Sequence, residues 1–294
     1  MVGSEARVAL KFGIQTVLNK PWPELAASWG AYEAMGFDSL WLPDHLVPPF
    51  NPSGPLFEAW TALAGLATVT SRVRHGVLVS SNTFRHPALL AKQAITVDHL
   101  SGGRLELGLG AGWFAPEHQM FGIPFPEPPV LVSQFREAVE MIDQFLRQDQ
   151  TTYKGTHYQL DDAPRRPAAL QQPRPPLVLG ANGKRMLEIV AAHADVWNSI
   201  GTPTEIRERN QYLDEACFKA GRDPAAIRRS LLYVPALLAD EHPWESEYLF
   251  RDFVARFAAV GITEFIFQPP ATGGEGVARI AAEVIPGLRA GALR

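Results

Sequence analysis

The residues best suited to chemistry are Asp44 and His45, adjacent in the run Leu42-Pro43-Asp44-His45. Histidine titrates near neutrality, and a carboxylate beside it can fix its tautomer or meet a ligand N–H, so the pair is the leading acid/base candidate. The bland alternative is a hydrogen-bonded pair that only covers a loop. A second group, Gly180-Ala181-Asn182-Gly183-Lys184-Arg185, leaves an apolar run and enters a helical one. Small residues there expose backbone N–H groups at the positive end of a helix, where a phosphate can bind, and Lys184 and Arg185 add charge. An ordinary strand-to-helix turn would look the same. Gly108-Leu109-Gly110-Ala111-Gly112-Trp113 has the wrong glycine spacing for a nucleotide fingerprint, and implies only that the backbone passes close to something flat or bulky. Trp113 and Trp41 either line a substrate pocket or belong to the core. His86, His99 and His193 read as helix-end or packing residues.

Composition narrows the partners. With 27 Lys+Arg against 31 Asp+Glu, a net charge of −4 and 46% apolar residues, the chain is globular. It lacks the basic excess that nucleic acid or an anionic membrane would require. Small molecules remain. Cys217 is the single cysteine, which excludes an intrachain disulfide and a thiolate zinc site, and suits a reducing compartment. No His-x-His is present to supply paired metal ligands, and no Gly-x-Ser-x-Gly nucleophile elbow occurs. Met1 to Lys11 has no apolar core of signal-peptide length, and no apolar run approaches the ~18 residues of a spanning helix. The expectation is a cytoplasmic protein without a metal.

These groups must be held by a scaffold, and the hydrophobic pattern describes one. Short apolar strands are expected at Leu10–Ile14, Phe37–Leu42, Val73–Val79, Leu105–Leu107, Leu177–Leu179, Ala194–Ser199, Leu231–Leu238 and Glu264–Phe267. Helices are expected between and after them, at Pro23–Met35, Phe57–Thr70, Pro87–His99, Val132–Arg147, Lys184–His193, Thr204–Ala220, Glu245–Val260 and Gly276–Leu288. Strands alternating with helices make a parallel sheet, and eight of them over a length near ~250 residues close a (β/α)8 TIM barrel of the α/β class. One domain spanning 1–294 is expected, with an insertion before the fifth strand at 148–176 that forms a short hairpin from Thr151–Tyr153 and Tyr158–Leu160. A doubly wound open sheet competes, but no Gly-x-Gly-x-x-Gly turn follows the first strand. In a barrel the chemistry sits just after each strand, which is where Asp44-His45, Gly108–Trp113 and Gly180–Arg185 fall.

Several runs carry a family resemblance. Gly36-Phe37-Asp38-Ser39-Leu40-Trp41-Leu42-Pro43-Asp44-His45, Phe84-Arg85-His86-Pro87-Ala88-Leu89-Leu90-Ala91-Lys92, Asp98-His99-Leu100-Ser101-Gly102-Gly103-Arg104 and the glycine loop through Trp113 appear in order. Leu179–Gly183 and Ala191–Asn198 follow, so that the match covers roughly Phe12 to Ile227. The set strongly resembles the bacterial luciferase-like flavin and deazaflavin oxidoreductases. The Asp-His pair, and Trp113 with Glu117 four residues on, look most like the branch that uses coenzyme F420.

The resemblance implies a (β/α)8 barrel with F420, or alternatively FMN, across its C-terminal rim. It implies that Asp44 and His45 face the ring, that Leu78, Val79, Ser80 and Ser81 back it, and that Gly110, Ala111, Gly112 and Trp113 border it. Gly180, Ala181, Asn182 and Gly183 would hold the phosphate, and Asn19, Trp113 and Glu117 would meet substrate. A non-prolyl cis bond is implied at Leu78–Val79, with Val79–Ser80 the next candidate. Trp113 and Asn19 stand where the branch's sugar-phosphate dehydrogenases place acidic residues, which favours a more apolar carbonyl or alkene. The expected function is hydride transfer between F420 and a small organic substrate, with His45 moving the proton. The alternatives are an FMN-dependent monooxygenase and a non-catalytic flavin-binding barrel. Relatives often dimerise, which makes a homodimer one possible assembly.

Overall fold

The computed structural model describes residues 9–270 and 274–291. The stretch Met1 to Val8, expected to lack a signal-peptide core, lies outside them. Nine parallel strands form one sheet: β1 (Lys11–Gln15), β2 (Ser39–Leu42), β3 (Arg74–Val77), β4 (Ser80–Ser81), β5 (Leu107–Gly110), β8 (Leu177–Gly180), β9 (Val196–Ser199), β10 (Arg228–Tyr233) and β11 (Glu264–Phe267). Their order is β3-β2-β1-β11-β10-β9-β8-β5-β4. A parallel bridge between His75 and Leu105 brings β3 beside the approach to β5 and closes the ring. β3 and β4 together occupy one barrel position, so the eight expected staves are present. The remaining pair, β6 (Gln150–Lys154) and β7 (Gln159–Pro164), is the antiparallel hairpin of the insertion.

Helices α1 (Trp22–Ala34), α2 (Ala59–Val69), α3 (Pro87–Leu100), α5 (Pro128–Arg147), α6 (Lys184–His193), α7 (Pro203–Lys219) and α8 (Glu247–Ala258) pack outside the strands. Their starts follow the expected capping chemistry. Thr202 and Glu205 form a reciprocal capping box on α7, and the His86 ring accepts from the Ala88 N–H ahead of α3.

Three expectations need correction, and one helix lies outside the expected set. The helix expected from Val132 begins at Pro128, because proline in a first turn loses no intrahelical hydrogen bond. A two-turn helix, α4 (Ala115–Phe121), is too short for a periodic signal to reveal. The third strand, expected to run to Val79, stops at Val77; the expected non-prolyl cis bond is present at Leu78–Val79, and Ser80–Ser81 resume pairing, with β5. The strand expected at Leu231–Leu238 runs instead from Arg228 to Tyr233, and Pro235, with no N–H to give a ladder, belongs to the loop beyond it.

The barrel's N-terminal end carries buried charge. Arg228 donates to Glu264 over 2.7 Å and to Glu106, while Arg74 meets Glu106 at 2.6 Å. His75 is fully buried nearby, and its Nε2 has no partner among the described residues. Burial, and then the Arg104 guanidinium, hold His75 down from its ordinary 6.5 to about 3. The folded state therefore refuses a proton that the unfolded chain accepts, so this contribution is complete above pH 6.5 and is lost as the pH falls toward 3. Urea unfolding between pH 6 and 4 should show the parent losing about 1.4 kcal/mol per pH unit more than His75→Gln. Parallel pH profiles for the two proteins would refute it.

Candidate active site

The C-terminal ends of the strands surround a cavity of about 1150 Å³. Of the sequence candidates, Asp44, His45, Leu78, Val79, Ser81, Gly110, Ala111, Gly112, Trp113, Glu117, Gly180, Ala181 and Asn182 line it. Ser80 does not: it is fully buried behind the wall, and its hydroxyl accepts from the Trp60 indole N–H at 3.0 Å. Asn19 is exposed and away from the cavity, and β1 is represented there by Gln15 and Val17 instead. Gly183, Lys184 and Arg185 are exposed and outside the lining, which Met186 joins from the same helix. Lys184 lies over the Tyr212 ring at 5.4 Å. Trp41 is core, hydrogen-bonded to Ser39 at 2.8 Å.

His45 is held by an unexpected partner. Its Nδ1 lies 2.8 Å from Glu117 Oε1, and the Leu46 N–H donates to Glu117 Oε2 at 2.8 Å. A carboxylate only accepts, so Nδ1 carries the hydrogen and Nε2 is the nitrogen left for a ligand. The Trp113 and Phe114 rings stand edge-on to the imidazole, 5.6 Å and 6.2 Å away, and fix its plane. Both oxygens of Glu117 are thus engaged and its side chain is 2% exposed, so it orients His45. Placing Glu117 requires α4, whose second anchor is the next residue: His118 Nδ1 bonds the Phe114 carbonyl at 2.9 Å and its Nε2 meets Thr83 at 2.6 Å.

Asp44 does not orient its neighbour. Arg85 binds its carboxylate through both nitrogens, at 2.6 Å and 3.0 Å, and the Ser81 N–H donates to it at 2.8 Å. Its task is to tie β2 to the broken third strand. From the other side, the Gln15 amide donates to the Leu78 carbonyl at 3.0 Å.

The glycines make room for a side chain. A Cβ on Gly110 would collide with Val79, and one on Gly180 would press against the same residue, so Val79 sits where a larger β5 or β8 terminus could not allow it. Gly112 adopts φ +94°, a left-handed turn that leads the chain toward Trp113.

Sequence reading missed part of the lining. Asn198 and Ser199 at the end of β9 are legible by the same rule that found the other strand ends. The loop residues Pro48–Phe50 and Val234–Leu238 carry no polar signature, and only their position marks them.

A sequence model of the luciferase-like monooxygenases matches residues 8–285. A protein of Microbacterium testaceum named F420-dependent glucose-6-phosphate dehydrogenase is 30% identical over 222 residues, which are 73% of this chain and 65% of that protein. An F420-dependent secondary alcohol dehydrogenase solved with an F420-acetone adduct superposes with a TM-score of 0.83 at 18% identity, over 94% of this chain and 98% of its own. The F420-dependent tetrahydromethanopterin reductase of Methanopyrus kandleri gives 0.79 at 19% identity, over 95% and 99%. At these identities the two structures speak to the fold, and they agree on the barrel. With the sequence model spanning nearly all the described residues, the chain belongs to the luciferase-like monooxygenase family.

Proposed function

We propose that this chain, on one luciferase-like barrel domain, transfers a hydride between coenzyme F420 and a small organic substrate, with His45 giving or taking the proton at Nε2. The observation that carries this reading is the single oriented imidazole at the rim of an otherwise largely apolar cavity. The names of the relatives support F420 over FMN.

The residues fit a flat tricyclic ring. Leu78 and Val79 offer an apolar surface, Gly110 and Gly180 make room for the Val79 side chain, and Ala111 and Gly112 add little bulk beside it. Bound F420 supplies a carbon that carries hydride. The protein holds the ring and substrate in contact, excludes water with Trp113 and the apolar loops, and presents the Nε2 proton, which are the contributions a scaffold makes to cofactor chemistry. Asn182 and the start of α6 are suited to an anionic tail.

The test is titration of the purified protein with F420 and with FMN, followed by anaerobic turnover and oxygen uptake. F420 binding with turnover supports the proposal. FMN binding with oxygen consumption supports the monooxygenase alternative, and binding without turnover supports the non-catalytic barrel. Gly183→Asp gives a second measurement. A Cβ at Gly183 meets open space, and Asp is a favoured residue at a helix start, so the melting temperature should not fall. Affinity for anionic F420 should nevertheless drop, by roughly tenfold for a cost of about 1.4 kcal/mol. Unchanged affinity would place the anionic tail elsewhere.

A further inference from the structure

Behind the cavity wall a second histidine is joined to it by two hydroxyls. His118 is 1% exposed and lies between the Phe84 and Phe125 rings, whose centroids are 4.9 Å and 4.5 Å from its own. Its Nδ1 is 2.9 Å from the Phe114 carbonyl, its Nε2 is 2.6 Å from Thr83 Oγ1, and Thr83 Oγ1 is 2.7 Å from Ser81 Oγ. Of the three linked side chains only Ser81 lines the cavity. The Ser81 and Thr83 oxygens come within 3.0 Å and 3.1 Å of where a Cβ on Gly112 would stand, so glycine at that lining position leaves the hydroxyl pair undisturbed.

The chain of hydrogen bonds has one direction. A carbonyl only accepts, so the hydrogen of the neutral imidazole is on Nδ1, and Nε2 is left to accept from the Thr83 hydroxyl. A hydroxyl has a single hydrogen. Thr83 gives its own to Nε2, so the contact with Ser81 uses the Ser81 hydrogen. The Ser81 backbone N–H donates to Asp44 at 2.8 Å. Ser81 therefore has no hydrogen left for a ligand, and its hydroxyl oxygen retains a lone pair.

Resting on the ring-binding reading above, we propose that His118 and Thr83 are positioning residues that lock the Ser81 hydroxyl as an acceptor, making Ser81 specificity-determining for a ligand that presents an N–H to it. In an oxidised flavin or deazaflavin ring the edge that does so is the imide, where one N–H, at N3, lies between two carbonyls. A carbonyl brought to Ser81 instead would set acceptor against acceptor and leave both unpaired once water is excluded.

Two measurements test this. In protein labelled with nitrogen-15 in its histidine rings, at about pH 8, the ring signal displaced by Thr83→Val should report hydrogen on Nδ1 and none on Nε2. Hydrogen on Nε2 would reverse the chain, make Ser81 a donor and overturn the proposal. Affinities are then measured for F420 and FMN, each with and without a methyl group on N3. The parent's preference for the N–H ring should exceed that of Ser81→Ala by about fivefold, the equivalent of ~1 kcal/mol. Ser81→Cys, which keeps the bulk but is a weak acceptor, should behave as Ser81→Ala does. Thr83→Val frees the Ser81 hydrogen to turn toward an imide carbonyl, so the preference should fall, and Thr83→Ser should restore it. A folding defect would weaken both members of a pair alike and leave their ratio unchanged. If F420 binds with the same preference in the parent, Ser81→Ala and Ser81→Cys, the proposal is overturned and the F420 reading stands. If FMN alone binds, the F420 reading falls and the FMN pair decides the proposal. If neither ring binds, both fall.

Discussion

Replacing His45 by alanine is expected to lower turnover by ~10²–10⁴-fold while F420 affinity changes little. The expectation rests on division of labour at one ring: Glu117 fixes Nδ1 over 2.8 Å, Trp113 and Phe114 hold the plane, and Nε2 is left for the ligand. Alanine removes the proton carrier but little of the surface that binds the ring, so the loss should appear in kcat rather than in cofactor dissociation. Glu117→Ala should reproduce much of that loss with KM nearly constant, because His45 remains but is no longer oriented. Glu117→Gln, which can still accept from Nδ1, should lose less. Undiminished turnover in His45→Ala would end the proton-transfer assignment, whatever its effect on binding.

The second large effect concerns stability, at the opposite end of the barrel. Glu264 and Glu106 are each 2% exposed, and the Arg228 guanidinium bonds to both of them. Burial raises the Glu264 carboxyl, and Arg228 opposes that rise. Removing one partner of a buried ion pair costs ~3–5 kcal/mol, since the remaining charge is neither solvated nor paired. Arg228→Met should therefore lower the urea-derived stability by about that amount, a large share of the ~5–15 kcal/mol typical of a folded protein. Adding Glu264→Leu should recover much of it, because Arg74 still meets Glu106 and no carboxylate is then left unpaired at position 264. A single variant as stable as the parent would show that solvent reaches this end of the barrel and pairs the carboxylates. A double variant no better than the single would shift the cause from charge to packing.

The legible parts of this chain are those governed by local rules. Lys184–His193 and Glu264–Phe267 agree end to end with the elements read from the sequence, because a helix between a glycine start and an apolar stripe, or a four-residue β-favouring run, is decided by near neighbours. The rim rule, that chemistry lies just past each strand, placed most of its candidates on the cavity wall without coordinates. It failed where neighbours in space decide. Asp44 stands next to His45 in sequence, yet in the loop past the end of β2 the carboxylate turns to Arg85 and Ser81 while the imidazole turns to Glu117 on α4. Gly110 and Gly180 look like cofactor glycines until Val79 is seen occupying their space.

The amino-acid sequence by itself determined the alternation of strands and helices, the position of the insertion, the family resemblance and the presence of one imidazole just after the second strand. Only the tertiary structure decided which carboxylate orients that imidazole and that Ser80, Asn19 and Gly183 lie outside the cavity. The reason is physical. Periodicity and capping act over a few residues along the chain, whereas a hydrogen bond spanning 72 positions, or a cavity wall shared by strands far apart in sequence, exists only after the barrel closes.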